Sequence, residues 1–138
     1  MKKIFFFSDV HLGLHDTHRE KEKEERLLSF LTYIQKHAAQ VIILGDLFDY
    51  WFEYKYVIPR GYHHVLSKLG MMVQNGIKIH YLAGNHDYWL KDFFPNDLGI
   101  PVLWLGVGEK ADDLVPMDPH AFVAGMLGLD GRRPSQAR

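Results

Sequence analysis

Three short apolar runs, residues 2–7, 41–44 and 78–83, each break off abruptly into a cluster of acidic, amide or imidazole residues. Each run has the length and composition of a buried strand. Between the first two, Leu27, Leu31, Ile34 and Ala38 recur at helical spacing, and Thr17 and Glu20 have the spacing of a capping box at the helix start. Past Pro59 a second helix is predicted around 62–74, closed by Asn75-Gly76, and 102–105 reads as a fourth strand. Strands alternating with helices imply crossover connections and a largely parallel sheet. In such sheets ligands gather beyond the carboxyl ends of the strands. The expectation is therefore an α/β fold whose first three strand ends converge on one site.

Composition narrows the function classes. Hydrophobic residues make up 47% of the 138-residue chain, enough for a real core. The absence of cysteine excludes disulfides and thiolate chemistry, and a formal charge of -1 disfavours bulk binding to nucleic acid. The opening apolar run ends at Ser8-Asp9, short of the roughly 7–15 apolar residues of a signal peptide. No stretch approaches the roughly 20 apolar residues of a membrane span.

The three loops are Ser8-Asp9-Val10-His11, Gly45-Asp46-Leu47-Phe48-Asp49 and Gly84-Asn85-His86-Asp87. Oxygen and imidazole donors brought together suit divalent cations such as manganese, iron or zinc. A pair of such ions can neutralise a phosphoryl group and acidify a bound water. The bland reading is that each loop is an ordinary polar turn, and for any one of them alone it is the better reading. Three in order, each after a strand, favour a site. His15 and His18 read as solvated, and His63, His64 and His80 as helix or strand positions outside the site. The aromatic stretch from Tyr50 to Tyr56 reads either as loop packing or, following a metal loop directly, as a substrate wall centred on Trp51.

Asp9-x-His11, Gly45-Asp46-x-x-Asp49 and Gly84-Asn85-His86-Asp87 resemble the first three signatures of the calcineurin-like metallophosphoesterases. The loop from Gly45 to Trp51 resembles, more narrowly, the UDP-2,3-diacylglucosamine diphosphatases of lipid A synthesis. The resemblance implies a layered metallophosphoesterase-like fold and two divalent ions, manganese first, with iron or zinc as alternatives. It also implies roles for single residues. Asp9 and His11 would bind one ion, Asp46 would bridge, and Asn85 would bind the other. His86 would donate a proton or stabilise charge at the phosphate, with Asp49 and Asp87 organising the loops. The implied reaction is hydrolysis of a pyrophosphate bond in a nucleotide-linked glycolipid, releasing UMP and a lipid monophosphate. It would take place in the cytoplasm or peripherally at the inner membrane.

The resemblance covers residues 1–105 and leaves 106–138 as an irregular tail that does not match the family. The Gly-His contexts expected in a second half are absent, and the one later histidine, His120, does not look like a strand-end ligand. The expectation is an incomplete domain that binds metal at no more than one well-ordered position, turns over little and self-associates through an exposed sheet. Two alternatives stand beside the leading one: a metal-binding domain without activity, and a phosphoesterase for another nucleotide or nucleic acid.

Overall fold

The computed structural model describes residues 1–87, 89–106, 114–116 and 118. Within them, β1 (Lys3–Phe7), β2 (Ala38–Ile43), β3 (Lys78–Ala83), β4 (Val102–Gly106) and β5 (Leu114–Pro116) form one sheet in the order β1-β2-β3-β4-β5. The first four strands run parallel, and β5 pairs antiparallel with β4. This is the mostly parallel α/β arrangement that the strand and helix pattern implies. β5 falls in the segment expected to be irregular, while His120 lies outside the described residues.

Helix α1 (Thr17–His37) joins β1 to β2, α2 (His63–Gln74) lies between β2 and β3, and a single π-helical turn, Phe93–Asp97, precedes β4. Sequential parallel neighbours joined by right-handed crossovers place their connections on one face of the sheet. Burial follows that rule. Val41, Ile43, Ile79, Tyr81 and Ala83 point into the core with Leu27, Leu31 and Ile34 of α1 and Val65, Leu66, Leu69 and Met72 of α2. In register, Phe7, Ile43 and Tyr81 form one row across the covered face. The alternate positions form the opposite face, where Ile4 and Phe6 on β1 are more than half exposed. On the same face Ile42 and Leu82 are half-buried.

The start of α1 differs from the capping box that the sequence suggests. Asp16, one residue earlier than Thr17, is the N-cap, accepting from the amides of His18 and Arg19. Glu20 reaches further back, accepting from Gly13 N at 2.7 Å and His15 N at 2.8 Å, and pairs with Lys23 at 2.8 Å. Lys23 in turn donates to the carbonyl of His11 at 2.7 Å. The helix is thereby tied to the loop after β1. Burial would raise the Glu20 pKa, but the Lys23 hydrogen bond and the two amides outweigh it and hold it below the usual value.

The loops after β2 and β3 meet backbone to backbone. Gly45 has φ +85°, and a Cβ there would lie 2.7 Å from Gly84 N and 2.8 Å from Gly84 Cα. A Cβ on Gly84 would in turn collide with the Asp46 carboxylate. Glycine is needed at both positions for proximity, not only for turn geometry.

Two measurements check these ties. Gly45→Ala is expected to lower stability by about 1–3 kcal/mol more than Gly76→Ala, since overpacking adds to the shared positive-φ strain. Gly76 makes the fair control because it has φ +84° with open space around it. Equal denaturation midpoints would show that the close approach is relaxed. Glu20→Gln should cost about 1 kcal/mol at neutral pH. A carboxylate whose folded pKa is depressed stabilises above its unfolded value, and the gain is lost as pH falls through the folded value. The difference between the two proteins should therefore vanish on acidification below the ordinary carboxylate range.

Candidate metal centre

At the carboxyl end of the sheet the loops after β1 and β2 zip together along their backbones. His11 N donates to Asp46 O at 3.0 Å, Leu12 N to Leu47 O at 3.0 Å, and Asp49 N to Leu12 O at 2.9 Å. Leu12, Leu47 and Phe48 anchor this zipper in the core. Asp9, His11 and Asp46 all adopt positive φ, at 55°, 47° and 54°. Residues with a side chain avoid this region, at a cost of order 1–3 kcal/mol each, and such strain concentrates at functional loops. Here it turns the side chains of three polar residues back over the strand ends.

The third loop is held by Asp87. Its carboxylate is buried and accepts from Gly84 N at 2.7 Å, Asp46 N at 2.9 Å and the Tyr81 hydroxyl at 2.7 Å. The same hydroxyl accepts from Leu47 N at 3.3 Å. Burial pushes the Asp87 carboxyl up, against the pull of those hydrogen bonds, and burial followed by the Asp87 charge pushes Tyr81 well above its ordinary value. Asp46 Oδ1 accepts from His86 N at 2.8 Å, so the second and third loops are joined in both directions.

Two sets of donor atoms, each within 4.8 Å of one another, result: Asp9, His11 and Asp46, and His11, Asp49 and His86. His11 stands in both. His11 Nε2 is 3.7 Å from Asp9 Oδ1, and Asp49 Oδ1 is 3.6 Å from His11 Nδ1 and 3.4 Å from His86 Nδ1. Ligands bound at about 2.1 Å to a common ion stand roughly 3.0–3.4 Å apart in octahedral or tetrahedral geometry. The two separations at His11 lie just beyond that range and are longer than hydrogen bonds. His11 Nδ1 is buried without a hydrogen-bond partner, an atom that a cation would satisfy. The residues fit a divalent metal.

His86 is engaged differently. Its Nδ1 lies 2.9 Å from the Asp49 carbonyl oxygen, which can only accept, so Nδ1 carries the proton. A protonated nitrogen cannot ligate a metal in this orientation. That hydrogen bond is the main reason why the His86 pKa is raised, and the Asp46, Asp49 and Asp87 charges add to it. The imidazole stands edge-on to His11 at 4.5 Å.

Asn85 is exposed on the third loop between Gly84 and His86. Not every residue singled out in the sequence belongs to this site. Trp51, read as a substrate wall, is fully buried against Phe48, Phe93 and Phe94, so the wall reading is corrected for this residue. The outward positions are its neighbours Tyr50, Phe52, Tyr54 and Tyr56. His18 is solvated, and His80 lies on β3 away from the strand ends. The sequence reading passed over Tyr81 and Glu53. The one acidic residue within an aromatic run, Tyr50 to Tyr56, was the available signal for Glu53, which turns inward two residues after Trp51.

Comparisons with known proteins agree with this geometry. The chain matches the calcineurin-like phosphoesterase family over residues 2–127. It is 43% identical over 105 residues to the UDP-2,3-diacylglucosamine hydrolase of Porphyromonas gingivalis, an alignment covering 76% of this chain and 40% of the relative. For the proteins of the same name from Nitrosococcus oceani and Histophilus somni the identities are 32% over 99 residues and 31% over 106. Those alignments cover 72% and 75% of this chain and 38% and 42% of the relatives. The chain thus spans about two fifths of the length of these curated relatives. No helix among the described residues is long and apolar enough to cross a membrane. With strand-end loops that gather carboxylates and imidazoles, and a family match across most of its length, the chain belongs to the calcineurin-like phosphoesterases.

Proposed function

We propose that the chain provides the metal-binding face of a hydrolase that splits the pyrophosphate bond of a UDP-linked, diacylated glucosamine. Water adds to one phosphorus, the bridging P–O bond breaks, and UMP and a lipid monophosphate leave. The observation that carries the reading is the convergence of Asp9, His11, Asp46, Asp49 and His86 at the strand ends. The names of the relatives supply the substrate class.

In this reading Asp9, His11 and Asp46 hold one divalent ion, and Asp46 and Asn85 reach a second, manganese being the first choice. Such ions, when bound, neutralise phosphoryl charge and lower the pKa of a bound water. His86 orients and protonates, since its Nδ1–H is committed to the Asp49 carbonyl and the ring is thereby fixed. Asp87 keeps the Asp46 backbone in place through its amide. The exposed row of Tyr50, Phe52, Tyr54 and Tyr56 supports an amphiphilic substrate, because these rings offer apolar bodies, three of them with hydroxyl tips, directly after Asp49. The exposed Ile4 and Phe6 support self-association through the open sheet face, and a sedimentation coefficient independent of concentration would count against it.

Two experiments bear on the reading. Asp46→Asn is expected to weaken Mn²⁺ binding more than Asp49→Asn, by about tenfold or more in calorimetric titration. Equal losses would remove the bridging role of Asp46. With Mn²⁺ present, UDP-2,3-diacylglucosamine should bind more tightly than its unacylated counterpart and release UMP slowly, as followed by ³¹P NMR. UDP as the product, or equal affinity for the two compounds, would overturn the substrate assignment.

A further inference from the structure

Glu53 is 3% exposed, and among the described residues it has no cationic partner. An isolated buried carboxylate is costly unless hydrogen bonds replace its water. Four donors do so here. Oε1 accepts from Trp51 Nε1 at 2.8 Å and Lys91 N at 3.1 Å, and Oε2 accepts from Asp92 N and Phe93 N, both at 3.1 Å. Trp51 belongs to the segment that follows Asp49, and residues 91–93 to the segment that follows His86. One side chain therefore fastens the continuation of the second loop to the continuation of the third.

The two segments run side by side in the same direction, joined at three points. His86 Nδ1 bonds to the Asp49 carbonyl at 2.9 Å, Trp89 packs edge-on against Phe52 at 5.9 Å, and Glu53 closes the far end. The first join lies inside the donor cluster and is partly open to water, whereas the Glu53 carboxylate that makes the last is itself buried. A partly exposed hydrogen bond holds its geometry only as well as the chain on either side of it is held. We infer that Glu53 is a positioning residue for the metal centre: by clasping the two segments it fixes the Asp49 carboxylate and carbonyl against the His86 ring. This inference rests on the proposed function only in taking that cluster to be the working site.

A carboxylate is required because every partner is a donor. Glutamine has one acceptor oxygen and turns its own N–H₂ toward donors, so at least one of the four partners is left unpaired at nearly unchanged volume. In Glu53→Gln, Mn²⁺ affinity is expected to fall about tenfold, as on removing groups that orient metal ligands. The His86 imidazole ¹⁵N resonances of the metal-free chain should also move. Ile34→Val, a core trim in α1 with a similar loss of thermal stability, should change neither. Unaltered affinity and His86 resonances in Glu53→Gln, with only the melting temperature lowered, would overturn the inference. If that variant does not fold, hydrogen exchange on the unmodified chain decides. The amides of 91–93 should be as protected as those of β3, and rapid exchange there would count against the clasp. Failure of the unmodified chain to bind Mn²⁺ would sink the proposed function, while the resonance and exchange measurements would still judge Glu53.

Discussion

The three hydrogen bonds accepted by the Asp87 carboxylate are the constraint on which the site depends. One comes from the Asp46 amide, one from Gly84 and one from the Tyr81 hydroxyl, so a side chain of the third loop defines where the second loop begins. Because Tyr81 sits on β3 in the buried row with Ile43, the knot is referenced to the sheet itself and not only to neighbouring loops. Asp46 then returns the tie by accepting from the His86 amide. Loops held this way do not need length or rigidity of their own. They inherit precision from the parallel register beneath them.

Strain at the strand ends is the counterpart of that anchoring. Asp9, His11 and Asp46 each occupy backbone space that disfavours a side chain, and together the cost is of order several kcal/mol. The zipper between the first two loops and the burial of Leu12, Leu47 and Phe48 offset it. The sharp reversals are what allow donors from separate loops to face one another across a few ångströms. A relaxed, extended exit from β1 or β2 would carry the same side chains past the site.

Much of this was legible in the residues and some was not. The apolar runs ended by Asp9, Asp46 and Asn85 gave strand ends and loop positions because burial periodicity and an abrupt polar stop are local signals. The helix repeat of Leu27, Leu31 and Ile34 was read for the same reason. The α1 cap was placed one residue late, since Asp16 and Thr17 both suit a cap and only the path of the preceding loop chooses between them. For Trp51 the residues left packing and substrate wall both open, because the choice depends on Phe93 and Phe94, some forty residues on. Glu53 escaped notice because its partners are backbone amides, which every sequence position offers and none advertises.

The charge of the site brings these strands of argument together. Asp9, Asp46, Asp49 and Asp87 converge from three loops, and among the described residues no lysine or arginine pairs with any of them. Like charges gathered at such distances repel, the more so where one is as buried as Asp87. Two devices relieve the repulsion within the chain: backbone amides directed at Asp46 and Asp87, and the two imidazoles placed among the carboxylates. Amides are dipoles and imidazoles are at most singly charged, so neither fully balances the set. A divalent cation between His11, Asp9 and Asp46 would offset two of the four negative charges. The fold therefore spends stability on an arrangement whose repulsion a metal ion would relieve, which is the physical sense in which these loops suit one.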